Sequence, residues 1–171
     1  MAAVTIARED PRQADVAGLV RNLDRYMAAL YPTESNHLLD IETLAGEDVV
    51  FLVARLDGAV AGRAALLRHG AGFGEIKRLW VESDRRGSGI ARRLLAELEA
   101  LARDLGLDLL CLETGTRQPK ALALFEALAF QRCGPFGNYP ADDPLSIFME
   151  KQLTGSSRND RPGDRNSAIV S

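Results

Sequence analysis

The stretch Val81-Glu-Ser-Asp-Arg-Arg-Gly-Ser-Gly-Ile-Ala91 carries the chain from an apolar segment into a leucine-rich one through a turn suited to a pyrophosphate. Upstream, Glu75-Ile-Lys-Arg-Leu-Trp-Val81 is short, rich in β-branched and aromatic residues and preceded by Gly70, Gly72 and Gly74, which predicts a strand. Downstream, Ile90, Leu94, Leu98, Leu101, Ala102 and Leu105 recur at helical spacing with Arg92, Arg93, Glu97 and Arg103 between them, the pattern of an amphipathic helix. At the junction, Gly87 and Gly89 allow the backbone to approach a bound group closely. The free N–H groups of the helix's first turn point outward there, at the positive end of its dipole. Such an end attracts phosphate, and Arg85 and Arg86 add fixed positive charge.

Two common phosphate binders are disfavoured. No G-x-x-x-x-G-K-[ST] run occurs, and the G-x-G-x-x-G fingerprint of dinucleotide binders fails because Arg92 stands at its third glycine. What remains, Arg86-Gly-Ser-Gly-Ile-Ala91, fits R-x-x-G-x-[GA]. In this the sequence resembles the GNAT N-acetyltransferase family, whose pyrophosphate signature has that form. Leu79 and Val81 match the Leu-x-Val strand that the family places just upstream. Ala121-Leu-Ala-Leu-Phe-Glu-Ala-Leu-Ala-Phe130 is similar to its A-x-x-[LF]-Y-E-x-x-G-F block, with Phe125 in place of tyrosine and Ala129 in place of glycine.

Along the chain, Val4 to Arg8 alternates as a strand, and a helical pattern follows with Val16, Leu19, Val20, Leu23, Met27 and Leu30, ended by Tyr31-Pro32. Leu38, Leu39, Ile41 and Leu44 predict a second short helix. Val49 to Arg55 and Ala59 to Leu67, joined by Leu56-Asp-Gly58, predict an antiparallel hairpin. After the motif strand and helix come a strand over 108–113, a helix over 119–128, and strands over 130–133 and 145–150. The order β-α-α-β-β-β-α-β-α-β-β is the one the resemblance implies. It corresponds to an α/β (α+β) fold with a mixed, mostly antiparallel sheet of about seven strands and helices on both faces. We read residues 1–153 as this domain and 154–171, which is Ser, Asn, Asp, Arg and Gly with little apolar content, as a disordered tail.

With 171 residues, 46% of them hydrophobic, the chain is long enough to bury a core. A net charge of −3, scattered basic residues and few aromatics argue against nucleic acid as a partner. No apolar run approaches the ~18 residues of a membrane span, and no leader pattern opens the sequence, so a cytoplasmic location is expected without a membrane partner. Cys111 and Cys133 lack metal-ligand spacing and read as buried free thiols, with no metal expected.

The resemblance implies acetyl-CoA as cosubstrate and direct attack by a primary amine, of a small molecule or a peptide, on the thioester. Its implied cofactor contacts fall on Leu79, Trp80 and Val81 of the motif strand, on Arg85, Arg86, Gly87, Ser88, Gly89, Ile90 and Ala91 of the turn, and on Gln118 and Phe125. The resemblance also implies two parallel strands that splay apart, with backbone at 79–81 as oxyanion donor. Glu75 at the start of the motif strand is the leading candidate for general base, and Glu113 at the end of the next strand competes with it. An imidazole suits such a role, which makes His37 a third candidate, although a helix-start histidine beside Asn36 is more often a surface or capping residue. With Tyr139 it is assigned to the acceptor side. The loop Gly134-Pro-Phe-Gly-Asn-Tyr-Pro-Ala-Asp-Asp-Pro-Leu-Ser146, together with 112–115 and Gln118-Pro119, is similar to a bacterial subgroup whose acceptor the sequence does not name. Asp142 and Asp143 either draw in a cationic amine or cap turns beside Pro140 and Pro144. Phe125 cannot protonate a leaving thiolate, which leaves open a degenerate acyl-CoA-binding module acting as sensor or partner subunit, and the sequence leaves a homodimer open.

Overall fold

The computed structural model describes residues 3–35, 38–70 and 72–153. His37 and the segment 154–171, expected as an acceptor-side residue and as a disordered tail, lie outside the described residues. The elements are β1 (Val4–Arg8), α1 (Ala14–Leu30), α2 (Ile41–Leu44), β2 (Val49–Leu56), β3 (Ala59–Arg68), β4 (Phe73–Val81), α3 (Ile90–Asp104), β5 (Leu109–Gly115), α4 (Pro119–Ala127), β6 (Gln131–Cys133) and β7 (Ser146–Gln152). Their order is the one expected from sequence. The second helix is shorter than its apolar pattern suggested, since Asp40 caps it through the Thr43 amide and leaves Leu38 and Leu39 outside.

One seven-stranded sheet runs β1-β2-β3-β4-β5-β7-β6, with β4–β5 parallel and the other pairs antiparallel. The Asp57-Gly58 turn that joins β2 to β3 has positive φ at both residues, as a tight hairpin requires. α3 packs Ile90, Leu94, Leu95, Leu98 and Ala102 on one face of the sheet, against Leu66, Ile76, Leu110 and Leu112, with Phe125 of α4 beside them. Each of those buried large side chains contributes about 1.5–3 kcal/mol. α1 and α2 cover β2 and β3 on the other face through Val16, Leu44, Phe51, Val53 and Ala65. On that face the 134–145 loop continues the cover, its Phe136 packed with Phe73, Cys111 and Phe148.

Two features of β4 position the site. It pairs with β5 only from Phe73–Leu109 to Ile76–Leu112, after which the strands part. Against β3, its register slips between Lys77 and Trp80: two residues, Arg78 and Leu79, face the single Ala64. This is a β-bulge, and Arg78 holds φ +59° in it. The bulge changes which side chains face α3. Before it Ile76 packs into that core, and after it Leu79 and Val81 do.

Candidate active site

The turn after β4 is built by backbone. A short 3-10 turn at Ser83–Arg85 lowers the chain into Gly87 (φ +79°) and Gly89 (φ +82°), and Gly89 is the residue from which α3 starts. An ideal Cβ at either glycine would meet nothing within 4 Å. The glycines are there for their left-handed dihedrals and for the open space above them. No acidic residue stands in the first turn of α3. The Arg86 guanidinium lies 4.7 Å from the centre of the Trp80 ring and donates from Nε to the Val81 carbonyl, 3.1 Å away. The Ser88 hydroxyl donates to the Arg85 carbonyl. Turn, strand and α4 enclose a cleft of about 700 Å³, lined by Trp80, Val81, Arg85, Arg86, Gly87, Gly89, Ile90 and Ala91 and by Gln118 to Ala121 opposite. Its lining sets the N–H groups of the α3 start and two arginines at one side, a setting that favours an anionic group.

A second, smaller cavity of about 100 Å³ opens in the gap between β4 and β5. Leu79, Gln118 and Ala121 line both spaces. A ligand lying along the cleft therefore meets, at Leu79, a compartment walled by Leu23 and Met27 of α1, Lys77 of β4, Leu112 and Glu113 of β5, Phe125 of α4 and Tyr139 of the loop. Phe125 is buried in the α3–α4 core, edge-on to Phe130, and reaches the inner cavity rather than the cleft.

The two carboxylates named from sequence have opposite surroundings. Glu75 is 2% exposed and lies behind the cavity wall, its oxygens held by His69 Nε2 at 2.9 Å, Lys77 Nζ at 3.2 Å and the Tyr139 hydroxyl. Burial pushes its pKa up, but the His69 hydrogen bond, the Lys77 charge and the Tyr139 hydroxyl together outweigh that and hold it below the usual range. Glu75 is an ionised, fully partnered group. Glu113 faces the cavity itself. Burial raises its pKa to about 7, against the smaller opposing pull of a Ser146 hydrogen bond and the Lys77 charge, while Glu75 and Asp143 add to the rise. A carboxylate poised near neutrality, on the wall of a cavity, is suited to taking a proton.

Sequence reasoning missed Lys77 and Tyr31. Lys77 also donates to the Tyr139 hydroxyl at 2.6 Å and so ties β4 to the loop. Tyr31, at the end of α1, is 5% exposed and crosses over Gly115, where a Cβ would lie 1.6 Å from its hydroxyl. Its hydroxyl accepts from the Arg117 amide at 3.0 Å and from the Gln118 side chain at 3.4 Å, which positions the start of α4. The signal was present in Gly115 but pointed to no partner. Asp143 accepts from the Leu145 amide at 2.9 Å as a turn cap, and Asp142 is exposed. Burial raises Cys111 to about 12 and Cys133 to about 11, which makes both poor thiolates. Among the described residues there is no cluster placed to hold a metal and no helix long and apolar enough to cross a membrane.

Residues 17–130 match the sequence profile of the acetyltransferase (GNAT) family. The chain is 52% identical over 151 residues to a protein named IAA acetyltransferase from Azospirillum brasilense, covering 88% of this chain and 98% of that one. It is 33% identical over 147 residues to the uncharacterized N-acetyltransferase YsnE of Bacillus subtilis (strain 168), covering 85% and 97%. A crystal structure from Klebsiella pneumoniae, provisionally assigned as an acyl-CoA N-acyltransferase, superposes with a TM-score of 0.77 at 35% identity, covering 88% of this chain and 97% of that one.

Proposed function

The chain belongs to the acetyltransferase (GNAT) family and is an acetyltransferase; from that premise we propose that it moves the acetyl group of acetyl-CoA to a small primary amine by direct attack in a ternary complex. The observation that supports this most is the meeting of the two cavities at Leu79, with Glu113 on the inner wall. The pyrophosphate rests on the N–H groups at 87–91 beside Arg85 and Arg86, and the pantetheine arm follows β4 through 79–81 like an added strand. This brings the thioester to the junction. The amine enters the inner cavity, and its nitrogen lone pair attacks the thioester carbon. As the C–N bond forms the nitrogen's proton passes to Glu113, directly or through one water, and the C–S bond then breaks to release thiolate. A CoA thiolate needs little help to leave, since a free thiol ionises near ~8.5. Solvent protonation therefore suffices where Phe125 offers no hydroxyl.

This assigns the proton to Glu113 and makes Glu75 an anchor for Lys77 and Tyr139, the reverse of the order expected from sequence. The inner cavity is small and mixed, with Leu23, Met27, Leu38, Leu112 and Phe125 beside Lys77, Arg78, Glu113, Thr114, Gln118 and Tyr139, which supports a small amine as acceptor. The name of the Azospirillum relative adds IAA, which carries no primary amine, as a separate arm of the screen, and turnover of IAA with no amine turned over would contradict the amine reading. An acceptor screen that follows thiol release from acetyl-CoA, over IAA, amino acids, polyamines, aminoglycosides and peptide N-termini, tests the reading. Acetyl-dependent thiol release above background with at least one amine is expected, and its absence across the panel from protein that binds acetyl-CoA contradicts it.

A further inference from the structure

β3 carries an arginine in a place that does not favour one. Arg63 is 0% exposed, while Ala65, its neighbour on the same face of the strand, is an alanine packed in the core beneath α1 and α2. Its Nη1 donates to the carbonyl of Arg78, and among the described residues its Nε and Nη2 meet no partner. A buried guanidinium with most of its donors idle is costly for folding, and a small apolar side chain there would avoid the cost.

The carbonyl that Arg63 holds belongs to the bulge residue of β4. Arg78 keeps φ +59° without being glycine, a conformation that persists only when its surroundings enforce it. They do so from two sides. The Arg78 guanidinium is tied to Asp24 of α1 and to the Leu39 carbonyl, and its main-chain oxygen is held by Arg63. β3 and β4 are also pressed together here: a Cβ at Gly62 would lie 2.8 Å from the Trp80 carbonyl. The peptide linking Arg78 to Leu79 is trans, so its C=O and N–H point in opposite directions. With the oxygen held toward β3, the Leu79 N–H is directed to the other side of β4, where β5 has parted from it and where both cavities border Leu79.

We propose that Arg63 is a positioning residue for acyl transfer: by clamping the Arg78 carbonyl it aims the Leu79 N–H at the thioester carbonyl oxygen and strengthens it as the oxyanion donor. This rests on the acyl-transfer reading above. A charged donor on the carbonyl end polarises the whole amide, so its N–H becomes a better donor at the other end. Release of the clamp frees the Arg78–Leu79 peptide to turn over, by rotation about ψ of Arg78 and φ of Leu79, which would present a carbonyl oxygen to the developing oxyanion. Burial, with repulsion from Arg78, lowers the Arg63 pKa to about 9, which still leaves the guanidinium charged at neutral pH.

The test uses amide NMR of the full chain with acetyl-CoA and with CoA as probes. In wild type, the Leu79 N–H resonance is expected to shift downfield with acetyl-CoA and not with CoA, while the amides at 87–91 respond to both. Arg63→Met should abolish the acetyl-dependent shift at Leu79 and keep the response at 87–91. On an acceptor found by the screen, its kcat should fall about 100-fold with the KM for acetyl-CoA within about threefold, the pattern of a lost transition-state donor. Arg63→Lys, which can still donate to the carbonyl, should recover part of both. A Leu79 amide that does not distinguish acetyl-CoA from CoA in wild type overturns the proposal without any variant. So does an Arg63→Met protein with wild-type Leu79 shift and kcat. Silence at 87–91 with both probes would overturn the acyl-transfer reading instead, and this proposal with it.

Discussion

The turn at Arg85–Ala91 and the wall around Glu113 border the same residue, Leu79, but are made in opposite ways. The turn is local: consecutive residues whose backbone is assigned the binding by the proposed function, with two glycines at positive φ as the trace. The inner wall is assembled from residues far apart in sequence, on α1, the segment after it, β4, β5, the start of α4 and the 134–145 loop. A backbone site is written into consecutive positions because few residues can adopt its dihedrals. A side-chain site acquires its chemistry from burial, which exists only after folding. Glu75 and Glu113 show the difference: chemically alike in sequence, one is held below the usual carboxylate range by three donors and the other raised to about 7 by burial.

The largest expected effect breaks the turn side alone. Gly89→Glu puts a carboxylate at the helix start and should abolish acetyl-CoA binding. In wild type, ligand at a hundredfold excess over Kd adds about 2.7 kcal/mol of stability, read as a rise in Tm. The variant should show no rise. Gly89→Ala separates charge from backbone, since its Cβ meets no neighbour and only the left-handed strain of about 1–2 kcal/mol remains; it should still bind. Retained stabilisation in Gly89→Glu would move the pyrophosphate elsewhere.

On the inner side, Glu113→Gln should lower kcat about 100-fold or more with acetyl-CoA affinity unchanged. Glu75→Gln should instead lower Tm, because it leaves Lys77 without its anionic partner, and keep a larger share of kcat. Equal kcat losses in the two variants would erase the distinction drawn between them.

The two carboxylates should also have opposite pH signatures in stability. Glu75, lowered on folding, stabilises above its ordinary value of 4.5, and its contribution is lost as pH falls through the lowered value. Glu113, raised from 4.5 to about 7, stabilises fully below 4.5 and loses that contribution as pH rises through about 7. At about pH 8 the buried charge of Glu113 therefore costs roughly 3 kcal/mol, and Glu113→Gln should be more stable than wild type by up to that amount, with the gain reduced to about 1 kcal/mol near pH 5. Denaturant titrations at both pH values measure it, and a gain of the same size at both would refute the raised pKa.

The smallest expected effect lies at Ala129, which stands at φ +70° just after α4. Ala129→Gly removes the left-handed penalty but loosens the unfolded chain, for a net gain of about 0.5–1 kcal/mol by denaturant titration. A loss would mean the methyl group packs.

Much of the fold was legible because hydrophobic period and turn chemistry agreed. Asp57-Gly58 marked the hairpin, Gly87 and Gly89 the strand-to-helix turn, and the Ile90-to-Leu105 spacing the helix that covers the sheet. Even the misfit at Ala129 was visible as a departure from glycine. The bulge was not, because Arg78 and Leu79 look like any alternating strand pair, and the slip depends on Arg63, fifteen residues earlier, and on Asp24 of α1. Nor were the opposite surroundings of the two carboxylates. Glu75 has His69 and Lys77 close in sequence, but its third partner, Tyr139, is sixty-four residues away. Glu113 is set by burial, which outweighs its Ser146 hydrogen bond and the Lys77 charge.

The most direct measurement is the pH dependence of kcat/KM for wild type, Glu113→Gln and Glu75→Gln on one verified amine. Wild type should rise to an inflection near pH 7, the value set by burial of Glu113, before any limb from the amine itself. Glu75→Gln should keep that inflection, and Glu113→Gln should lose it and recover rate only as the amine deprotonates. An inflection that survives in Glu113→Gln and vanishes in Glu75→Gln would contradict the assignment and return the proton to Glu75.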